Sequence, residues 1–479
     1  MPQPWLEAAQ VLDGSAAAPH LSVRTTPLAP RDAAHLGLAA TVPPAPSGQG
    51  PLTAAPPSPA PDALLRLATG REDVTSWVRH GRGLVGLGRT LELRARGASR
   101  IEQMRAAWRQ VVYASWWSDP LVRPGTGPVA LGTLTFSPGS GQDCVLLVPR
   151  LLIGLDDDGA WLTTAVLRGE EHPDPAEVVE ELIAAAATAP SQETSAQGAR
   201  AVVEPGSHDR DSYLDCLSRV QARMRSGEVA KVVIARDLLV RPATSLGTPE
   251  LLGRLAQAYP SCWTFAVDGM VGASPELLVR LSGRRLTSRV LAGTARRHAT
   301  EPGAREREAA RLAAWLEGSQ KNNREHALAR TSALKALEPL CSVVQAPPRH
   351  VITLPNVLHL ASDVTGVVAG DTGTLSLVGA LHPTAAVGGT PTPAALAVIE
   401  AEEGMDRGRY AGPVGWVDWH GEGEWCIALR SGQLSGAPAG PQAPVRVFGG
   451  GGIMPDSEPG DELAETEAKM RPMLAALGA

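Results

Sequence analysis

The residues of this 479-residue chain with the types and settings for chemistry lie in its C-terminal half, in apolar or glycine-rich stretches. Lys231 opens KVVIAR, whose β-branched content predicts a strand. A lysine at such an edge is usually solvated; desolvated beside other cations, its amine becomes a base. Glu276 sits in VGASPELLVR, where Ala273, Ser274, Pro275 and Leu277 offer it no local cation. A carboxyl group so placed has a raised pKa and can serve as a general acid, although a helix cap or a surface position suits it equally. Glu462, Glu465 and Lys469 fall at i, i+3 and i+7, on one face of a predicted closing helix. They follow VFGGGGIMPDSEPG, whose consecutive glycines leave backbone N–H groups free to approach an anion. A solvated charged face is the plain alternative. Glu325, in KNNREHALAR, has Asn322 one turn earlier. Two carboxylates from different helices with few other ligands suit Mg²⁺, which keeps several waters and shares oxygen ligands with its substrate. Arg430, in WCIALRSG, projects from an alternating strand, and its planar fork can hold a carboxylate bidentately. This inventory suits a small polycarboxylate undergoing proton transfer at two separated positions. No Ser or Cys nucleophile with a His partner emerges.

Other signals carry less. Gly81, Gly83 and Gly86 form a G-x-G-x-x-G, but the strand-like LVGLGRTLELRAR follows instead of a helix, so a tight turn between strands is the better reading. His326, His350, His359 and His382 lack zinc-ligand spacing. The cysteines Cys144, Cys216, Cys262, Cys341 and Cys426 form no C-x-x-C pair and read as reduced, buried thiols of a cytosolic protein.

The elements that must position these groups can be sketched from the pattern. Strands are predicted at 83–96, 129–154, 229–240, 263–268, 276–289, 358–367, 414–419, 424–434 and 445–448. Helices are predicted at 175–189, 210–227, 303–338 and 459–477. Strands joined by short turns and interrupted by a few long helices indicate α+β with mostly antiparallel sheets. Residues 19–61 hold eleven prolines among Ala, Ser and Gly, so 1–62 reads as a flexible N-terminal segment. Residues 63–200 then form the N-terminal part of the α+β domain and 201–479 its catalytic region. The formal charge of −6 gives no sign of a nucleic-acid binder or a membrane-surface protein. No apolar run reaches the ~18 residues of a membrane span, and the N-terminus lacks the pattern of a signal peptide. The expectation is a cytoplasmic monomer.

Collinear stretches extend the reading: KVVIAR (231–236), GASPELLVR (272–280), VLAGTARR (290–297), REHALAR (324–330), LHL (358–360), LHPTAAVGG (381–389), RGRYAGPVGW (407–416), GEWCIALRSG (423–432) and FGGGGIMPDSEPGDELAETEAK (448–469). With these the sequence resembles the chorismate-utilising enzymes, and within them the isochorismate synthases. The resemblance implies one large α+β domain of two packed, mostly antiparallel sheets with outer helices. It implies chorismate as substrate and Mg²⁺ as cofactor, with isochorismate feeding menaquinone or siderophore biosynthesis. Lys231 aligns with the base that activates water for attack at C2, and Glu276 with the acid that protonates the departing C4 hydroxyl. Glu325 and Glu465 align with the metal carboxylates, and Glu462 with a residue near the metal waters. Arg430, Lys469 and the amides around Gly451 align with substrate-carboxylate contacts, Gly293 and Thr294 with a substrate loop, and His359 with the pocket wall. The lysine at 231 resembles the water-adding members, where anthranilate synthases have glutamine. Ala292 stands before Gly293 and Thr294, where aminodeoxychorismate synthases carry a nucleophilic lysine. Asn322 replaces a commonly acidic residue, Gly451 an alanine and Ala385 a proline. The rival readings are a salicylate synthase, which eliminates pyruvate at the same site, and a non-catalytic binding subunit of the same family. Lys231 and Glu276 should not pair with each other, because an ion pair would charge both.

Overall fold

The computed structural model describes residues 5–38, 59–188, 200–244, 246–297, 301–353, 357–434 and 443–479. Its centre is the strand Cys144–Leu155, buried along most of both faces, which is why CVLLVPRLLIG reads as a nearly unbroken apolar run. One edge pairs with Arg82–Ala95. The other pairs first with Val129–Thr133 and then with Ala160–Leu167, and here the sheet divides. One arm continues through Pro413–Asp418, Gly423–Ile427, Leu277–Ser282 and Arg285–Arg296 to Val357–Val368. The other runs from Arg82–Ala95 through Val74–Arg79, Trp263–Val267, Met270–Ser274, Ser431–Leu434 and Val445–Ile453 to Lys231–Arg241. Among the described residues only Trp5–Glu7 with Glu92–Arg94, and Ser22–Arg24 with Trp116–Ser118, pair in parallel. The fold is α+β, as the strand pattern predicts, with the two sheets hydrogen-bonded into one curled, branching ladder.

The larger apolar core includes Trp77, Trp108, Trp161, Phe265 and Trp425. A second core lies under the helices Thr248–Ala258 and Pro459–Leu477, through Leu251, Leu255, Met470 and Met473. The Gly81 region is a tight turn: His80 and Gly81, at φ 51° and 74°, join Val74–Arg79 to Arg82–Ala95. That is the positive-φ pair a two-residue hairpin loop requires.

Three expectations need correction. The N-terminal segment is not a tail throughout. Leu21–Pro27 pairs antiparallel with Trp161–Leu167 and buries Leu21 and Val23. Eight of the eleven prolines fall at 43 or later, so a window over 19–61 averages away this short strand. Residues 39–58 lie outside the described residues. The long helix at 303–338 is two helices, Pro302–Gly318 and Gln320–Leu337. Ser319, extended at ψ 108°, ends the first and caps the second by accepting from the Asn322 N–H. The strands expected at 129–154, 276–289 and 424–434 are each two strands, broken at 134–143, at Gly283 and at Ala428–Arg430.

Candidate active site

Residues from both arms line one cavity of about 240 Å³. Lys231, Glu276, Gly293, Glu325, His359, Arg430, Glu462, Glu465 and Lys469 all line it, although 238 positions separate the first from the last.

Lys231 begins its strand opposite Thr390 and runs past Gly452, where a Cβ would stand 3.0 Å from its Cε. Its Nζ donates to Glu325 Oε1 at 2.5 Å. Its nearest partner is therefore not another cation but a carboxylate from the helix capped by Ser319. That helix brings Asn322 into the wall, its Nδ2 donating to Ser319 Oγ at 2.9 Å.

Glu276 joins the two arms. It follows the strand Met270–Ser274 and precedes Leu277–Ser282. Its N–H donates to Ser274 Oγ and its carbonyl accepts from the Ile427 N–H. The side chain is 9% exposed. Burial pushes its pKa up to about 7, against the pull of Arg430, then Lys469, then Lys231. The raised acid expected from the sequence is present, but with three cations that local neighbours could not reveal. Arg430 reaches the cavity from the break at Ala428–Arg430, where its backbone takes φ 51°. Such strain persists where the surroundings over-determine it, commonly at functional sites.

Lys469 donates to Glu465 Oε1 at 2.7 Å and to the Gly450 carbonyl at 2.8 Å. Glu462 accepts from Ser457 Oγ at 2.7 Å. The glycine run is not a free anion loop. It is part of Val445–Ile453, with Gly449–Gly452 in register with Val233–Arg236. Because peptide edges alternate in an antiparallel ladder, the outward carbonyl of Gly450 implies that Gly450 and Gly452 turn their edges away from that partner, and these two line the cavity. Gly451 does not line it. Its bare α-carbon leaves room for Glu462 and Glu465, whose carboxylate oxygens would lie 3.0 and 4.0 Å from a Cβ there.

Gly293 sits in a bulge at φ 82° between Ala292 and Thr294, and a Cβ would be 3.1 Å from that of Asn322. Thr294 pairs with His359 in the ladder, but its side chain lies outside the described residues. The His359 ring bonds the Gly293 backbone; burial first, then Arg430 and Lys469, push its pKa down to about 4, so it is neutral.

Among the lining residues that the sequence reading missed are Arg407 and Tyr410. The buried Arg407 bridges Glu403, at 2.5 Å, to the Val233 and Val387 carbonyls, and so fixes the strand that carries Lys231. Tyr410 stacks on Phe448 at 4.8 Å, and burial pushes its pKa up to about 12. Both belong to RGRYAGPVGW, where an arginine and one of only four tyrosines among small residues were the available signal.

Among the described residues no three His, Cys, Asp or Glu side chains could hold a metal by themselves. Glu325, Glu462 and Glu465 nevertheless face one cavity, and an all-oxygen donor set completed by substrate and water fits Mg²⁺. No helix among the described residues is long and apolar enough to cross a membrane.

Residues 65–478 match the family described as chorismate binding enzyme. The isochorismate synthase MenF of Bacillus subtilis is 30% identical over 414 residues, 82% of this chain and 85% of that protein. The isochorismate synthase DhbC of the same organism is 36% identical over 281 residues, 56% of this chain and 68% of that protein. The structure of MenF, the menaquinone-specific isochorismate synthase from Escherichia coli, superposes with a TM-score of 0.69 over 98% of this chain and 99% of that one, at 22% identity, a likeness of fold. Since the family match takes in both arms of the sheet and every group gathered between them, the chain belongs to the chorismate-binding enzymes.

Proposed function

We propose that the protein is an isochorismate synthase, isomerising chorismate to isochorismate by adding water at C2 and expelling the C4 hydroxyl. The observation that carries this is the separate housing of Lys231 and Glu276 in one cavity: the amine on Glu325, and the carboxyl buried with a pKa near neutrality. Lys231, as the neutral amine released from Glu325, takes a proton from the attacking water, and Glu276 gives one to the leaving oxygen. Arg430 and Lys469 supply cations for the substrate carboxylates. Water is the nucleophile, because no lysine precedes Gly293 and no glutamine stands at 231.

Charge balance supports a divalent cation. With Glu276 protonated, Lys231 neutral as the base and Arg407 neutralised by Glu403, two cations (Arg430 and Lys469) face three carboxylates (Glu325, Glu462 and Glu465). A dicarboxylate entering alone would add two more negative charges to this set; entering with Mg²⁺ on Glu325 and Glu465, and Glu462 close by, it adds none. When bound, Mg²⁺ supplies positive charge that fixes and neutralises a substrate carboxylate. Of the relatives compared, the MenF of B. subtilis matches over the longer stretch, through the N-terminal half, so we assign the product to menaquinone rather than siderophore synthesis. The five unpaired cysteines fit a reducing cytoplasm.

Incubating the purified protein with chorismate and Mg²⁺ and identifying the product tests the assignment. Isochorismate alone is expected; salicylate with pyruvate would make it a salicylate synthase, and no turnover a binding subunit. Excess EDTA should abolish the activity, and Glu465→Gln should weaken Mg²⁺ binding by calorimetry with little change in melting temperature. Full activity in EDTA would remove the metal from the mechanism.

A further inference from the structure

Glu276 and Ala386 line a second cavity, of about 230 Å³, as well as the first. Ala329, Ala333 and Ala336, on one face of the helix Gln320–Leu337, leave it unfilled. Through Ala336, Ala380, His382 and Pro383 it adjoins a broad open groove, on a side that Lys231 does not line.

The polar groups on this side are incomplete. His382 is 9% exposed, and its Nε2 lies 3.0 Å from the Phe136 carbonyl. A carbonyl only accepts, so Nε2 carries the proton. Burial pushes the ring's pKa down to about 3, and the neutral ring therefore has a bare lone pair at Nδ1. That atom is buried without a hydrogen-bond partner among the described residues, and so is Thr384 Oγ1. A buried polar atom left so is destabilising unless water reaches it. A water's share of liquid volume is about 30 Å³, so the cavity has room for several waters to satisfy both.

We propose that this second cavity is a hydrated passage through which Glu276 exchanges protons with solvent, its water held by His382 Nδ1 and Thr384 Oγ1. The inference rests on the reaction proposed above. Each turnover moves one proton from the attacking water to Lys231 and one from Glu276 to the departing hydroxyl, which leaves as water. Lys231 ends protonated and Glu276 ionised, so one proton must leave the lysine and one must reach the glutamate before the next cycle. Product fills the cavity that Glu276 shares with Lys231, whereas the second cavity has Glu276 in its wall without Lys231. His382 and Thr384 are thus positioning residues for water.

Three variants test this. His382→Gln retains an N–H able to reach the Phe136 carbonyl and shifts its remaining acceptor, the amide oxygen, away from the position of Nδ1. Thr384→Val removes only the hydroxyl, and Ala333→Leu fills the passage. Each should lower kcat by about tenfold while leaving KM for chorismate within about twofold, the pattern of a loss outside substrate binding. The solvent deuterium isotope effect on kcat should rise. A high-resolution crystal structure should show water on His382 Nδ1 in the wild type and none in Ala333→Leu. Xenon filling the wild-type cavity would mark it as dry and overturn the passage. Wild-type kcat and isotope effect in all three variants would do the same. If the wild type makes no isochorismate, the proposed function itself falls; if it does and the variants match it, only the passage falls.

Discussion

Glu276 is a residue whose use conflicts with stability. Its folded pKa, about 7, stands above the ordinary 4.5, because burial disfavours the carboxylate. The fold is thus least burdened below about pH 4.5 and loses stability as pH rises toward 7, after which the difference is constant. Glu276→Gln removes that ionisation and should therefore be more stable than the wild type at pH 8, by up to ~3 kcal/mol on a shift of this size. The same variant should lose about 10²-fold or more in kcat, the usual range for a missing general acid. Melting curves and kinetics at pH 5 and 8 check both halves; a variant less stable at pH 8 would contradict the burial argument. In the wild type, kcat/KM should fall as pH rises through about 7, because the protonated acid disappears. Lys231→Ala should also cost about 10²-fold in kcat with a smaller change in KM, because Arg430 and Lys469 still hold the substrate. At this scale the raised acid could be read from its apolar neighbours. The partner of Lys231 could not, because 94 residues of chain separate it from Glu325.

The elements set these side chains through irregularities more than through their regular stretches. Periodicity locates the closing helix Pro459–Leu477 and the single face that carries Glu462, Glu465 and Lys469. The break at Ser319, the bulge at Gly293 and the φ of Arg430 leave no periodic trace, because each is one residue deep and is imposed by tertiary neighbours. The glycine run shows the same limit: four glycines suggest a loop, and only the facing strand Lys231–Arg241 makes them a ladder. The break at Ser319 can be tested. Ser319→Ala deletes the cap and the partner of Asn322, and should cost about 1 kcal/mol of stability, the typical value for a lost N-cap. Because Glu325 lies in the second turn of that helix, Mg²⁺ affinity should weaken along with stability. Calorimetric titration would show it, and unchanged metal binding would mean that the cap does not position Glu325.

At the scale of the whole molecule, every group placed in the active site comes from residues 231–469, while the N-terminal half carries the junction from which both arms grow. The strand Leu21–Pro27 lies at the edge of that junction, far in sequence from the site, and gives the means to separate folding from catalysis. It covers the edge of Trp161–Leu167 and buries Leu21 and Val23. Full burial of two such side chains contributes about 3–6 kcal/mol, an upper figure because the unfolded chain is itself partly compact. Deleting residues 1–30 should therefore lower the melting temperature by several degrees or more. It should also promote self-association, since the uncovered edge would present unpaired N–H and C=O groups. Turnover at low temperature should survive, because the deletion removes no group from the cavity. Melting temperature, light scattering and kcat at 15 °C measured on one preparation check the three parts together. An unchanged melting temperature would make Leu21–Pro27 dispensable to the fold. A loss of kcat in molecules that remain folded would mean that this edge holds the arms, and the cavity between them, in their working spacing.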